Sequence, residues 1–220
     1  MPSPPSAPAE PWASGRRLPR RLVQLYLGLV MFGLSMAMVV RSELGNIPWD
    51  VLHQGVADST GLSFGTVAVL IGALVLLLWI PLREKPGLGT VSNVLVIGAA
   101  VDVALRLIPD LVVGSADPHW AARGALFATG VLLNAVATAA YIGSRFGAGP
   151  RDGLMTGLHR RTGRSIRLVR TLIEAVVVAV GWALGGTFGV GTVVFVLTIG
   201  PLVQVFLPRL LVPAGPAATT

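Results

Sequence analysis

Apolar positions are gathered into six runs, at residues 22–40, 64–82, 88–108, 121–142, 166–184 and 190–207. Each approaches the roughly 20 residues that a helix needs to cross a hydrocarbon core about 30 Å thick. The pattern predicts an all-α membrane protein of six spans. Two further stretches are helical in pattern but too short and too polar to cross. The first runs from Ile47 to Asp58, with Pro48 at the first helical position and Asp50 two residues on, where a carboxylate meets the positive end of a helix. Ser63 is then placed to cap the next run. The second follows the fourth run, where Pro150, Arg151 and Asp152 open a short helix reaching His159, and Ser165 is the matching cap.

That recurrence is part of a longer one. Shifting the chain by 102 residues without a gap brings Gly45 onto Gly147, Pro48 onto Pro150, Asp50 onto Asp152, Ser63 onto Ser165 and Gly89 onto Gly191. Positions 28–105 then share 28 identities in 78 with their counterparts. Two apolar sequences share Val and Leu by chance, but a common register in Gly, Pro, Asp, Ser and Thr points to a duplicated unit. Each unit has three crossings, so the second must enter the membrane from the side opposite the first. The expected division is a disordered basic tail at 1–21, a first three-helix repeat at 22–108, a connecting loop at 109–123, a second repeat at 124–207 and a C-terminal tail at 208–220. Within each repeat a non-spanning short helix follows the first span.

Charge tests the inverted arrangement. The chain is 53% hydrophobic and only 12% charged, with a mean hydropathy of +0.75. Its net charge of +7 would suggest nucleic acid in a soluble protein. Here the basic residues flank apolar runs, so they read as topology signals and no nucleic-acid partner is expected. With a cytoplasmic N-terminus, the inner segments hold 14 of the 17 basic residues, and only Arg41, Arg106 and Arg123 fall outside. Both termini are therefore expected in the cytoplasm, the partner of the chain being a lipid bilayer. The first run also resembles a signal peptide, but at 19 residues it is too long for an ordinary one. The chain has no cysteine, which excludes disulfides, thiolate metal sites and catalytic thiols.

Candidate chemistry follows from the short helices. In inverted repeats, broken or re-entrant helices aim their positive ends at a site between the units. Asp50 and Asp152, with Trp49 and Arg151 beside them, are thus candidate substrate or ion ligands. The alternative is that each Asp compensates its own helix dipole while Gly45, Pro48, Gly147 and Pro150 shape turns. Ionisable residues inside a span are functional candidates because burying charge in hydrocarbon is costly. Asp102 and Glu174 qualify, though each has an Arg four residues away, Arg106 and Arg170, that offers an ordinary helix-surface pair. Asn93 and Asn134 add polar groups within spans. The turns at Gly89 and Gly191 lack the third glycine and the preceding strand of a nucleotide loop. His53, His119 and His159 have no metal spacing and no nucleophile motif occurs, so neither an enzyme nor a cofactor is expected.

The segment Leu44 to Gly55, with Gly45, Pro48, Trp49 and Asp50, together with Gly89 to Asn93, resembles the YczE branch of the YczE/YyaS/YitT group of bacterial membrane proteins. The resemblance implies a multi-pass inner-membrane protein and no substrate. In the second unit Arg151 replaces Trp49 and Gln204 stands opposite Asp102, so the two half-sites differ chemically. The leading expectation is a small-solute secondary transporter or permease with its site at the repeat interface. The alternatives are a membrane accessory or scaffold protein, or the membrane-embedded binding subunit of an uptake complex.

Overall fold

A computed structural model describes residues 18–109 and 119–212, and the expected tails and connecting loop lie partly outside that range. Among the described residues there are eight helices: α1 (Leu18–Ser42), α2 (Pro48–Thr60), α3 (Phe64–Leu82), α4 (Leu88–Leu107), α5 (Trp120–Gly143), α6 (Pro150–Thr162), α7 (Ile166–Ala183) and α8 (Val190–Leu210). The sequence shift of 102 carries the first four onto the second four, with α2 and α6 in register at both ends. Local chemistry repeats as well. Ser63 and Ser165 accept hydrogen bonds from the amides of Thr66 and Leu168 at the starts of α3 and α7. The hydroxyls of Thr90 and Thr192 take the amides of Gly87 and Gly189 at the starts of α4 and α8.

Five of the eight, α1, α3, α4, α5 and α8, are long and apolar enough to cross a membrane. The remaining expected span, α7, has 18 residues but carries Arg167, Arg170 and Glu174, which dilute its hydropathy. Helix boundaries also correct the expected tails. Arg21 belongs to the first turns of α1 and Arg123 to those of α5, and both are buried.

The reason is a matched pair of caps. Arg21 donates from Nε to the Ser144 carbonyl at 2.9 Å and from Nη2 to that of Arg145 at 3.0 Å. Arg123 does the same to Ser42 at 2.7 Å and Glu43 at 2.8 Å. Each guanidinium thus satisfies the carbonyl end of the other unit's first helix and meets its negative dipole. These contacts make α1 and α5 antiparallel neighbours. The two helices approach closely where Gly28 lies against the backbone of Ala137 and Tyr141, and where Gly130 lies against that of Ser35. Small residues at such a crossing let helix backbones approach and gain dispersion contacts.

The turns after α1 and α5 drive the chain inward. Gly45 and Gly147 sit at φ +124° and +115°, which side-chain-bearing residues rarely adopt, and each is pressed against the start of a distant helix. There the Gly191 amide donates to the Leu44 carbonyl at 2.7 Å and the Gly89 amide to that of Phe146 at 2.8 Å. From these turns α2 and α6 begin at Pro48 and Pro150. Across the units, α2 packs on α7 and α6 packs on α3.

One interface does not repeat. Helix α3 packs along α4, whereas α7 stands away from α8. The sequences explain this. In the first unit Gly65, Val69 and Gly72 form the face of α3 toward α4, and a Cβ on Gly65 would collide with the Gly98 carbonyl. Their counterparts on α7 are Arg167, Thr171 and Glu174. Such side chains cannot enter the space a glycine pair leaves. Val94 is 9% exposed within its unit, and its counterpart Val196 is 42% exposed.

Candidate functional site

A cavity of about 380 Å³ lies between the two units, walled by the middles of the long helices and by the first turns of α2 and α6. Pro48 and Pro150 set both short helices to begin there, since proline fixes φ and needs no amide partner at a first helical position. Both first turns therefore reach the cavity wall, where Pro48, Trp49, Pro150, Arg151 and Asp152 line it. Trp49 and Arg151, equivalent positions in the two units, meet each other: the guanidinium lies over the indole at 5.0 Å.

Around this contact the two half-sites differ. Asp50 is fully buried, with Oδ1 at 3.1 Å from His53 Nδ1 and 3.8 Å from Arg151 Nη2. The pair to Arg151 is an ion contact between units rather than a hydrogen bond. Asp50 Oδ2 has no partner, and neither does the buried Trp49 Nε1. Unpartnered buried polar atoms are few in folded proteins, and these two stand together beside the cavity. Asp152 instead lines the cavity and accepts the Tyr141 hydroxyl at 2.7 Å. No guanidinium comes within ion-pair distance of Asp152 among the described residues.

The remaining expectations separate into those brought to the cavity and those kept from it. Asn93 and Glu174 line it along with Trp49, Arg151 and Asp152, while Asp50 stands directly behind the wall. Glu174 does pair with Arg170, Nε to Oε1 at 2.8 Å, and the pair sits at the cavity margin. Asp102 lies elsewhere. Its Oδ2 accepts from Ser63 Oγ and its Oδ1 from the Gly65 amide, both at 2.6 Å, so it ties the start of α3 to α4. The turn residues Gly45, Pro48, Gly147, Pro150, Gly89 and Gly191 all stand at the turns and helix starts that shape the cavity walls.

Two site residues were missed from the sequence, His53 and Tyr141. His53 follows Asp50 by three positions on a short helix, so a same-face pair was legible from spacing. Tyr141 gives no such signal, because it reaches Asp152 from α5 and its counterpart in the first unit is Val39. The apolar part of the wall comes from Phe32, Met36, Ile71, Val75, Ile97 and, on α8, Phe195, Ile199 and Val203. The arrangement offers a polar floor of carboxylates, the Asn93 amide and the Arg151 and Arg170 guanidiniums beneath an apolar shell.

Comparison with known proteins places this geometry in context. Residues 19–208 match a family described as a family of unknown function, DUF6198. An uncharacterized protein of Haemophilus influenzae is 39% identical over 83% of this chain and 81% of its own. Two proteins of Bacillus subtilis, the uncharacterized membrane protein YczE and the uncharacterized protein YyaS, are each 27% identical, over 84% and 83% of this chain and 84% and 90% of theirs. No solved structure matches. The apolar helices and the relative described as a membrane protein agree that this is a multi-helix membrane protein.

Proposed function

We propose that this chain, which belongs to the DUF6198 family of unknown function, is a six-span secondary transporter or permease whose solute site is the cavity between two inverted repeats. In this reading α7 is the sixth span, and its charged face is sheltered by the cavity rather than by lipid. Helices α2 and α6 dip in from opposite faces of a bacterial inner membrane, and both termini are cytoplasmic. The observation that carries the reading is the meeting of Trp49 with Arg151. Equivalent residues of two duplicated units touch at the first turns of two short helices, beside a cavity and an unpartnered carboxylate oxygen. Secondary transporters built from inverted repeats place their sites in this way.

A scaffold built on the same fold has no use for a hollow centre with unsatisfied polar atoms, which lowers its stability. The test is a solute screen by melting temperature on the purified chain, with amino acids, sugars, organic anions and organic cations as the panel. The expected result is a class of solutes that stabilises the wild type and fails to stabilise Asp152→Asn or Arg151→Ala. A panel with no such class would refute transport and leave the scaffold role.

A further inference from the structure

The cavity is asymmetric in where it can be entered. Its first-unit side is closed by α3 on α4, held by the glycine pair Gly65 and Gly98 and by Asp102 on Ser63. On the second-unit side α7 and α8 stand apart, and the gap is lined by Arg170 and Glu174 on one edge and by Val196, Gly200 and Gln204 on the other. A Cβ added to Gly200 would meet nothing within 4 Å, so this side of α8 faces open space at mid-height. An opening between two spans at that depth faces the acyl chains of the bilayer, not the water at either end.

The charges at the polar floor fix the sign of what enters. Asp152 and Glu174 line the cavity and Asp50 lies behind its wall, against the guanidiniums of Arg151 and Arg170. With His53 neutral the balance is one negative charge in excess. Arg151 is engaged by Asp50 and stacked on Trp49, and Arg170 is held by Glu174 at 2.8 Å. Asp152 is left with a hydroxyl hydrogen bond and no ion pair among the described residues. Arg151 is thus shared between Asp50 and Asp152, and in a site of low dielectric a cluster with one carboxylate in excess favours a cationic partner.

Resting on the reading of α7 and α8 as spans around a solute cavity, we infer that the ligand is an amphipathic organic cation. It enters sideways from the bilayer between α7 and α8, with its charge at Asp152 and its apolar body against α8. The polar head then lies near Tyr141 and Asn93, and the tail covers Val196 and Val203, which are otherwise half-open.

Two isosteric probes of opposite charge test the sign. The purified full chain in lipid nanodiscs is titrated with tetraphenylphosphonium and with tetraphenylborate, each corrected for partition into empty nanodiscs. The cation is expected to bind at least about tenfold more tightly than the anion, and Asp152→Asn to lose at least about tenfold of that affinity. Equal or tighter binding of the borate, or unchanged cation binding in Asp152→Asn, overturns the cation assignment. Gly200→Trp tests the route, because the open space around Gly200 accepts the ring without disturbing packing. It should weaken or slow phosphonium binding about tenfold, while Leu197→Trp, on the outward face of α8, should not. Unchanged binding in Gly200→Trp overturns lateral entry. A hydrophilic solute from the panel that binds the cavity with Gly200→Trp unaffected would sink this inference and leave the transport reading standing. Binding of neither the probes nor any panel member would sink both.

Discussion

Replacing Asp102 with Ala separates a structural carboxylate from a functional one. Its carboxylate accepts from Ser63 Oγ and from the Gly65 amide, both at 2.6 Å. Hydrogen bonds to charged groups contribute about 1.5–3 kcal/mol each. The two do not add in full. Ser63 is exposed and keeps its second role, accepting from the Thr66 amide, so its hydroxyl finds water in the variant. The Gly65 amide is buried against α4 and would be left without an acceptor. The loss expected for Asp102→Ala is therefore about 2–3 kcal/mol, dominated by that one amide. For a chain of this length it corresponds to a fall in melting temperature of roughly 5–10 °C.

Asp102→Asn keeps an acceptor for the Gly65 amide and loses the charge, so about 1 kcal/mol should go. Far-UV circular dichroism of the purified protein in detergent follows the melt, and tetraphenylphosphonium titration follows the cavity. Both Asp102 variants should bind the probe as the wild type does. If Asp102→Ala melted at the wild-type temperature yet lost the probe, the cap would be incidental and the carboxylate would belong to the site.

Other perturbations read other parts of the same architecture. Gly98→Ala should destabilise by about 1–3 kcal/mol, because the new Cβ would stand 2.5 Å from Val69 Cγ2; Gly200→Ala, at the equivalent position, should be neutral or slightly stabilising in the same melt. Arg123→Gln and Arg21→Gln each strip two helix-end carbonyls of their donor and should cost about 2 kcal/mol apiece; a clear inequality between them would contradict the matched caps. Single cysteines at positions 58 and 160 of this cysteine-free chain should react with an impermeant thiol reagent from opposite sides of the membrane, and labelling from one side would refute the inverted arrangement. Asp50→Asn should cost about 2 kcal/mol by leaving Arg151 without its counter-charge, against about 1 kcal/mol or less for Asp152→Asn, which keeps an acceptor for Tyr141.

The short helices and the repeat were legible because backbone chemistry wrote them. Pro48 and Pro150 can start a helix but not continue a span, Gly45 and Gly147 permit turns at positive φ, and Ser63 and Ser165 cap. Those roles depend on local geometry, which a sequence displays directly. Partnerships across helices were less visible. Spacing alone offered Arg106 to Asp102, four residues on, whereas the carboxylate reaches Ser63 and Gly65 on another helix. The same spacing argument succeeded for Glu174 and Arg170, where the facing helix has withdrawn and the pair closes along α7 itself. Tyr141 could not be found at all, since nothing along α5 signals that its hydroxyl meets Asp152.

The asymmetry between the halves bears on how such a protein could move. Inverted repeats often alternate by letting each unit adopt the conformation the other has just left. That exchange requires the α7 and α8 pair to close as α3 and α4 are closed. Here it cannot. Position 65 is Gly and tolerates contact with the Gly98 carbonyl, but its counterpart is Arg167, and the counterpart of Gly72 is Glu174. Two long charged side chains would have to be desolvated in the space of two glycines, without the carboxylate that ties the closed pair, because Gln204 replaces Asp102. The closed unit is equally unable to imitate the open one without breaking the Asp102 cap. On the proposed transport reading, motion is therefore confined to α7, α8 and the short helices that meet at Trp49 and Arg151, with α3 and α4 as the fixed wall against which they shift.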